Sequence, residues 1–176
     1  MTRKKTHMKR KNKNFLKYYN TYFEKIYRYI FFRVGKDRAL AEDLTSEVMI
    51  KAYEKFDTFN PEKNFSVWIY RIAHNHLVDH YKKVKVAQVP LDEIENILKT
   101  DDYMNLKIDT KMDLKKVETA IAKLPEVQRE IVLMHYMHDL SVKEIAKVQT
   151  QSENNIRVIL SRAVSRLKKQ LVFLSI

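Results

Sequence analysis

The stretch DLSVKEIAKVQTQSENNIRVILSRAVSRLKK, Asp139 to Lys169, decides how this chain is read. Ser141-Val-Lys-Glu144 has the spacing of a capping box, so a short helix opens there. Ser152 is placed to cap a second, longer helix. With Ile156 at zero degrees and about 100° per residue, Leu160, Ala163 and Leu167 fall within about 40° of it. Val164 and Leu171 extend that apolar stripe, and Asn154, Val158, Ser161 and Ser165 point away from it. Asn155, Arg157 and Arg162 lie on the flanks. This is the pattern of a helix-turn-helix, whose second helix offers its N-terminal residues to base edges in the major groove. Asn suits adenine, Arg suits guanine or phosphate, and Val158 suits a thymine methyl. The turn carries Thr150 where glycine is usual. It can form with Thr150 outside the left-handed region, with Gln149 or Gln151 taking that conformation, or with Thr150 entering it at about 1–2 kcal/mol.

The rest of the chain is also helical in character. One glycine and three prolines among 176 residues argue against a turn-rich β fold, and the abundant Lys, Glu, Leu, Ile and Ala favour helices. Without cysteine there are no disulfides or thiolate metal sites, which suits a reducing cytoplasm. No apolar stretch is long enough to span a membrane. The basic N-terminus is followed by FLKYYNTYFEKIYRYIFF, whose apolar residues are too interrupted for a signal peptide.

The formal charge of +12 is unevenly spread. Residues 1–20 hold eight Lys/Arg and no acid, and residues 114–176 hold eleven basic and six acidic groups. Residues 85–113 reverse the sign, with four basic and seven acidic groups. Two basic ends around an acidic joint point to a polyanionic partner.

Apolar periodicity divides the chain into a basic tail (1–17), a helical domain (18–84), a linker (85–112) and a second helical domain (113–176). The first domain reads as helices over about 18–32, ended by Gly35, then 38–56, then 65–83 after the Asn60-Pro61 break. The linker has room for a short helix near 91–98. In the second domain the period returns at Asp113, and Pro125 is expected at the first position of the next helix.

The polar faces carry the functional signal. On the second helix Ala41, Leu44, Val48 and Ala52 share the inner face, leaving Asp43, Ser46, Glu47, Ile50 and Glu54 outside. An exposed aliphatic within an acidic face suits docking to a basic protein surface. The third helix and the loop before it mix aromatics with bases: Phe59, Phe65, Trp68, Tyr70 and Tyr81 among Lys63, Arg71, His74, Lys82 and Lys83. Aromatic faces beside cations suit unpaired nucleic acid, although Phe65 also has the position of a core residue. His76 and His80 have the four-residue spacing of metal ligands. No glutamate follows the first histidine in the zincin manner and no third ligand is evident. His135 and His138 are no better placed. With one glycine there is no phosphate loop, and no catalytic constellation or cofactor motif is legible.

Three segments, AEDLTSEVMIKAYEKFDTF, FSVWIYRIAHNHLVDHYKK and AIAKLPEVQREIVLMHYMHDLSVKEIA, resemble the extracytoplasmic-function (ECF) sigma factors of bacteria. The likeness covers about residues 18–84 and 114–171 in the family's order. It implies an all-α protein of two small domains, of the sigma region 2 type and the region 4 helix-turn-helix type, joined by a flexible linker. It further implies a non-enzymatic transcription initiation factor, working in the cytoplasm without cofactor or metal. The implied partners are core RNA polymerase through its β and β′ subunits, promoter DNA, and an anti-sigma factor.

The resemblance places Asp43, Ser46, Glu47, Ile50 and Glu54 on the polymerase-binding surface. It places Phe59, Lys63, Asn64, Phe65, Ser66, Trp68, Arg71, His74, Asn75, Lys82 and Lys83 at the −10 element. It places Ser152, Asn154, Asn155, Arg157, Val158, Ser161 and Arg162 at the −35 element. The chain departs from the family at His74 and Ile159, which are usually basic, at Ser46, commonly glutamine, and at Thr150. A linker of about 28 residues has a root-mean-square span of about 30 Å. Two promoter elements about two DNA turns apart lie roughly 70 Å apart, so binding both calls for the polymerase as a scaffold.

Overall fold

The computed structural model describes the backbone over residues 2–87 and 111–173, and side chains over 11–84 and 116–171. Every regular element among the described residues is a helix or helical turn. They are α1 (Thr2–Arg33), α2 (Arg38–Lys55), α3 (Phe65–Ala87), α4 (Lys111–Ala122), α5 (Glu126–Val132), α6 (Val142–Gln149) and α7 (Glu153–Phe173). A 3-10 turn at Phe56–Thr58 follows α2, and a π turn at Leu133–Met137 follows α5. The chain divides into two compact units, Met1–Asp92 and Glu93–Ile176.

In the first unit α1 packs against α2 and α3, and α2 against α3. Ile26, Tyr29, Ile30, Ala41, Val48, Ala52, Ile69, Tyr70, Ala73 and Leu77 form its dry interior. Tyr70, read from sequence among the nucleic-acid aromatics, is fully buried edge-on to Tyr29. Gly35 and Lys36 both take φ of 69°, turning the chain tightly between α1 and α2. Asp37 then caps α2 by accepting a hydrogen bond from the Leu40 amide at 3.1 Å.

The first helix begins at Thr2, not near residue 18. No glycine or proline interrupts residues 2–34, and Phe15 gives the upstream turns something to pack on. Its ring is buried edge-on against Tyr53 and Phe56. Tyr53 donates to Asn12 at 2.6 Å, and Lys11 bonds Asp57 at the same distance.

In the second unit α4, α5 and α6 each pack on α7, burying Leu124, Val132 and Ala163 with Leu160 and Leu167 beside them. Pro125 is the N-cap of α5 with extended ψ of 145°, one residue outside the helix, so the expected first position belongs to Glu126. The π turn inserts an extra residue before α6. There the Leu140 amide donates to the Met134 carbonyl at 3.0 Å, and a His135 ring nitrogen lies 2.9 Å from the Leu140 carbonyl. Helical periodicity alone does not reveal such an insertion. The short helix expected near 91–98 lies outside the described residues.

Candidate functional site

The second helix turns Asp43, Ser46, Glu47, Ile50 and Glu54 outward, while Leu44, Thr45, Val48 and Met49 are buried. Ile50 is 59% exposed, a bare aliphatic in an acidic surround. Ser46 is partly committed, its hydroxyl donating to the Glu42 carbonyl at 2.8 Å. Glu47 also reaches inward, its Oε2 lying 2.9 Å from Nε2 of His76 on α3. Lys51 Nζ stands 2.6 Å from the other ring nitrogen of His76. Burial holds the His76 pKa below its ordinary value of 6.5, the Lys51 charge lowers it further, and Glu47 opposes both. The ring thus ties the acidic face to α3. Among the described residues no three His, Cys, Asp or Glu side chains converge as metal ligands.

The loop between α2 and α3 is built by its asparagines. Asn60 Oδ1 accepts from the Glu62 amide at 2.9 Å, and Asn64 Oδ1 accepts from the Ser66 amide at 2.8 Å. Asn64 therefore caps α3. Phe59 and Phe65 are buried, at 8% and 6% exposure. Tyr18 stacks on Phe65 at 3.9 Å, and Phe59 and Trp68 pack around the same ring at 5.1 and 5.2 Å. Such pairs contribute about 0.5–1.5 kcal/mol each beyond their area. In this arrangement Phe59 and Phe65 support the loop and offer no open face to a base. Trp68 is half-buried, and Lys63, Arg71, Asn75, Lys82 and Lys83 are exposed. Trp68, Arg71, Asn75 and Lys82 share one side of α3 by helical spacing; His74, half-buried, lies off it.

At the helix-turn-helix, Ser141 and Glu144 form the complete capping box. Thr150 itself takes the left-handed conformation, φ 55° and ψ 44°, and its amide donates to the Ala146 carbonyl. Gln151 donates to the same carbonyl at 2.9 Å. Ser152 caps α7 by accepting from the Asn155 amide at 3.2 Å. Asn154, Asn155, Arg157, Val158, Ser161 and Arg162 are all exposed, and Ile156 is fully buried. Two contacts order the leading turn: Asn155 Nδ2 to Gln151 Oε1 at 2.8 Å, and Arg157 to Glu153 at 3.3 Å. Ile159 is half-buried at the stripe's edge.

The pairing of Lys51 with His76 joins two helices across 25 positions and leaves no local signature in the sequence. Burial of Phe15 does leave one, since Phe15, Tyr18, Tyr22 and Ile26 continue the stripe of α1 upstream.

The sigma-70 region 2 family model matches residues 18–86, and that of sigma-70 region 4 matches 114–167. The chain is 31% identical over 155 residues to the ECF RNA polymerase sigma factor BldN of Streptomyces coelicolor, covering 87% of this chain and 58% of that protein. It is 28% identical to SigM of Bacillus subtilis, also an ECF sigma factor, covering 85% of this chain and 90% of SigM. Among solved structures, the sigma factor RpoE of Bartonella quintana in complex with the anti-sigma factor NepR has a similar fold. Its TM-score is 0.73 at 20% identity, over 90% of this chain and 97% of that one. CnrH in complex with the cytosolic domain of CnrY has a TM-score of 0.66 at 18% identity, over 91% and 88% of the two chains. Among the described residues no helix is long and apolar enough to cross a membrane. With both regions matched in order, the chain belongs to the sigma-70 family, as an ECF-type RNA polymerase sigma factor.

Proposed function

We propose that this sigma factor docks on the β′ subunit of core polymerase through Asp43, Glu47, Ile50 and Glu54, and contacts β as well. It opens the −10 element with Trp68, Arg71 and Asn75, and reads the −35 element with the leading turns of α7. The observation that carries the reading is the exposed Ile50 within its acidic face, on a domain matched to region 2. A bare aliphatic is stabilised only when a partner covers it, and surrounding carboxylates favour a basic partner. On the second domain, exposed Asn and Arg at the start of α7 are chemically suited to base edges and phosphates. The Phe59–Phe65 loop contributes its exposed Lys63 to the −10 contact, while its phenylalanines hold the loop in shape.

The site of action is the cytoplasm, where the polymerase is. An anti-sigma factor is a further partner, as in the RpoE–NepR and CnrH–CnrY complexes. Run-off transcription with purified core polymerase and a genomic promoter library tests the proposal. Discrete transcripts that require this chain are expected; none above the core-enzyme background would refute it.

A further inference from the structure

Glu47, His76 and Lys51 form one connected group that joins α2 to α3 and opens onto the acidic face. His76 is buried, yet a charged group stands at each of its ring nitrogens. Glu47 Oε2 is 2.9 Å from Nε2, and Lys51 Nζ is 2.6 Å from Nδ1. An ammonium can only donate, so Nδ1 accepts and the ring proton stands on Nε2, towards the carboxylate. The neutral ring thus holds half-buried Lys51 inward and meets one oxygen of Glu47, whose side chain stays 58% exposed. The charged groups acting on the ring are Lys51 and Glu47 from α2 and His80, one turn along α3. None of them comes from α1, which packs against both helices.

We propose that His76 is a positioning residue of the polymerase-docking face: its neutral ring keeps that face acidic, and its protonation weakens docking. The inference rests on the docking role proposed above for Glu47 and Ile50. A proton on Nδ1 removes the lone pair that Lys51 uses and sets two cations 2.6 Å apart. Lys51 then has to leave, and its flexible four-carbon stem carries the ammonium out to the surface of α2. The same proton makes the ring a cation beside Glu47, so the carboxylate has less to offer a basic partner. Both changes make the face less acidic. Docking is therefore full above the folded pKa of the ring, which burial and then Lys51 hold below 6.5 against Glu47, and is lost as the pH falls through it. By reciprocity, docked polymerase disfavours this proton by the same factor. A histidine that only filled the core would leave docking indifferent to the charge of its ring.

The test measures the affinity of the full chain for core polymerase by fluorescence anisotropy between pH 8 and pH 5, at constant ionic strength, with helix content followed alongside. Wild-type affinity should fall at least about fivefold, the low end of couplings between linked sites, and no faster than about tenfold per pH unit, as for one proton. His76→Gln keeps a neutral donor towards Glu47, so it should match wild type at pH 8 and lose most of the acid-side fall. Lys51→Gln removes a charge that opposes protonation, so its half-loss should move to higher pH. Parallel profiles for wild type and His76→Gln, or a fall in affinity that follows loss of helix, would overturn the proposal. So would an unmoved half-loss in Lys51→Gln, which decides the matter alone should His76→Gln fail to fold. Ile50→Glu at pH 8 separates the two readings. If it weakens binding while the profiles stay parallel, the role of His76 falls and the docking face stands. If it binds as wild type, both fall.

Discussion

Nε2 of His76 lies 2.9 Å from Oε2 of Glu47, so a core imidazole of α3 meets the acidic face of α2 from within. Lys51 holds the ring's other nitrogen at 2.6 Å. The folded state thus favours the neutral ring, and burial and Lys51 outweigh Glu47 in holding the pKa down.

A depressed histidine pKa sets the sign of a pH effect. Below 6.5, the ordinary value, the unfolded chain binds this proton more readily than the folded one. Stability is therefore full above that pH and declines as pH falls from 6.5 towards the folded value. One proton contributes a slope of at most about 1.4 kcal/mol per pH unit. Thermal melts of the wild type between pH 5 and 8 should be steeper with pH than those of His76→Gln, with the difference confined to the acid side. Parallel curves would remove His76 as the cause.

Ile50→Glu should abolish binding to core polymerase and leave helix content and melting temperature unchanged. The side chain is 59% exposed in the free protein, so the new carboxylate is solvated until a partner covers it, when desolvation becomes costly. Loss of at least about 2 kcal/mol, the scale of an interface hot spot, is expected. Retention of wild-type affinity in a pull-down with core enzyme would contradict the docking face.

Trp68 and Arg71 separate by their burial. Half-buried Trp68 packs on Phe56, Phe59 and Phe65, so Trp68→Ala should lower the melting temperature as well as impair promoter opening. Arg71 is exposed. Arg71→Ala should leave stability and polymerase binding intact while reducing permanganate reactivity of unpaired thymines in the −10 region. Normal footprints in both variants would count decisively against the assignment.

Thr150 is a β-branched residue at φ 55°, a conformation that costs about 1–2 kcal/mol without glycine. Thr150→Gly should raise stability by about 1 kcal/mol, partly offset by the added freedom of the unfolded chain. The selected −35 sequence should not change, since the turn already has the geometry glycine would adopt. A lower melting temperature would mean that the threonine side chain stabilises more than its backbone strain costs.

On α7, Asn154→Ala or Arg157→Ala should each relax −35 preference by about 1–3 kcal/mol where the side chain meets a base. Arg162→Ala should weaken all sequences alike and reduce the salt slope by about 1. Selection from a randomised −35 library with holoenzyme distinguishes them. The same selected motif in both Asn154→Ala and Arg157→Ala would exclude this helix from base reading.

What the sequence determined by itself is whatever rests on neighbours three or four positions away. The helical class, the Ser141–Glu144 capping box, the Ser152 cap, the Ile156 stripe and the outward Ile50 follow from spacing, because helix geometry carries local order directly into side-chain direction. Tertiary structure decided what depends on distant partners. Lys11 meets Asp57 across 46 positions and Lys51 meets His76 across 25, so neither pair leaves a local pattern. Phe59 and Phe65 have the composition of a base-stacking loop, but Tyr18 from another helix covers Phe65 and makes the ring core. At Thr150 three ways through the turn were open to the sequence, and the structure takes one. Burying Ile145 and Val148 on one side and Ile156 on the other fixes the path between α6 and α7, and backbone strain at one threonine is smaller than the loss of that core.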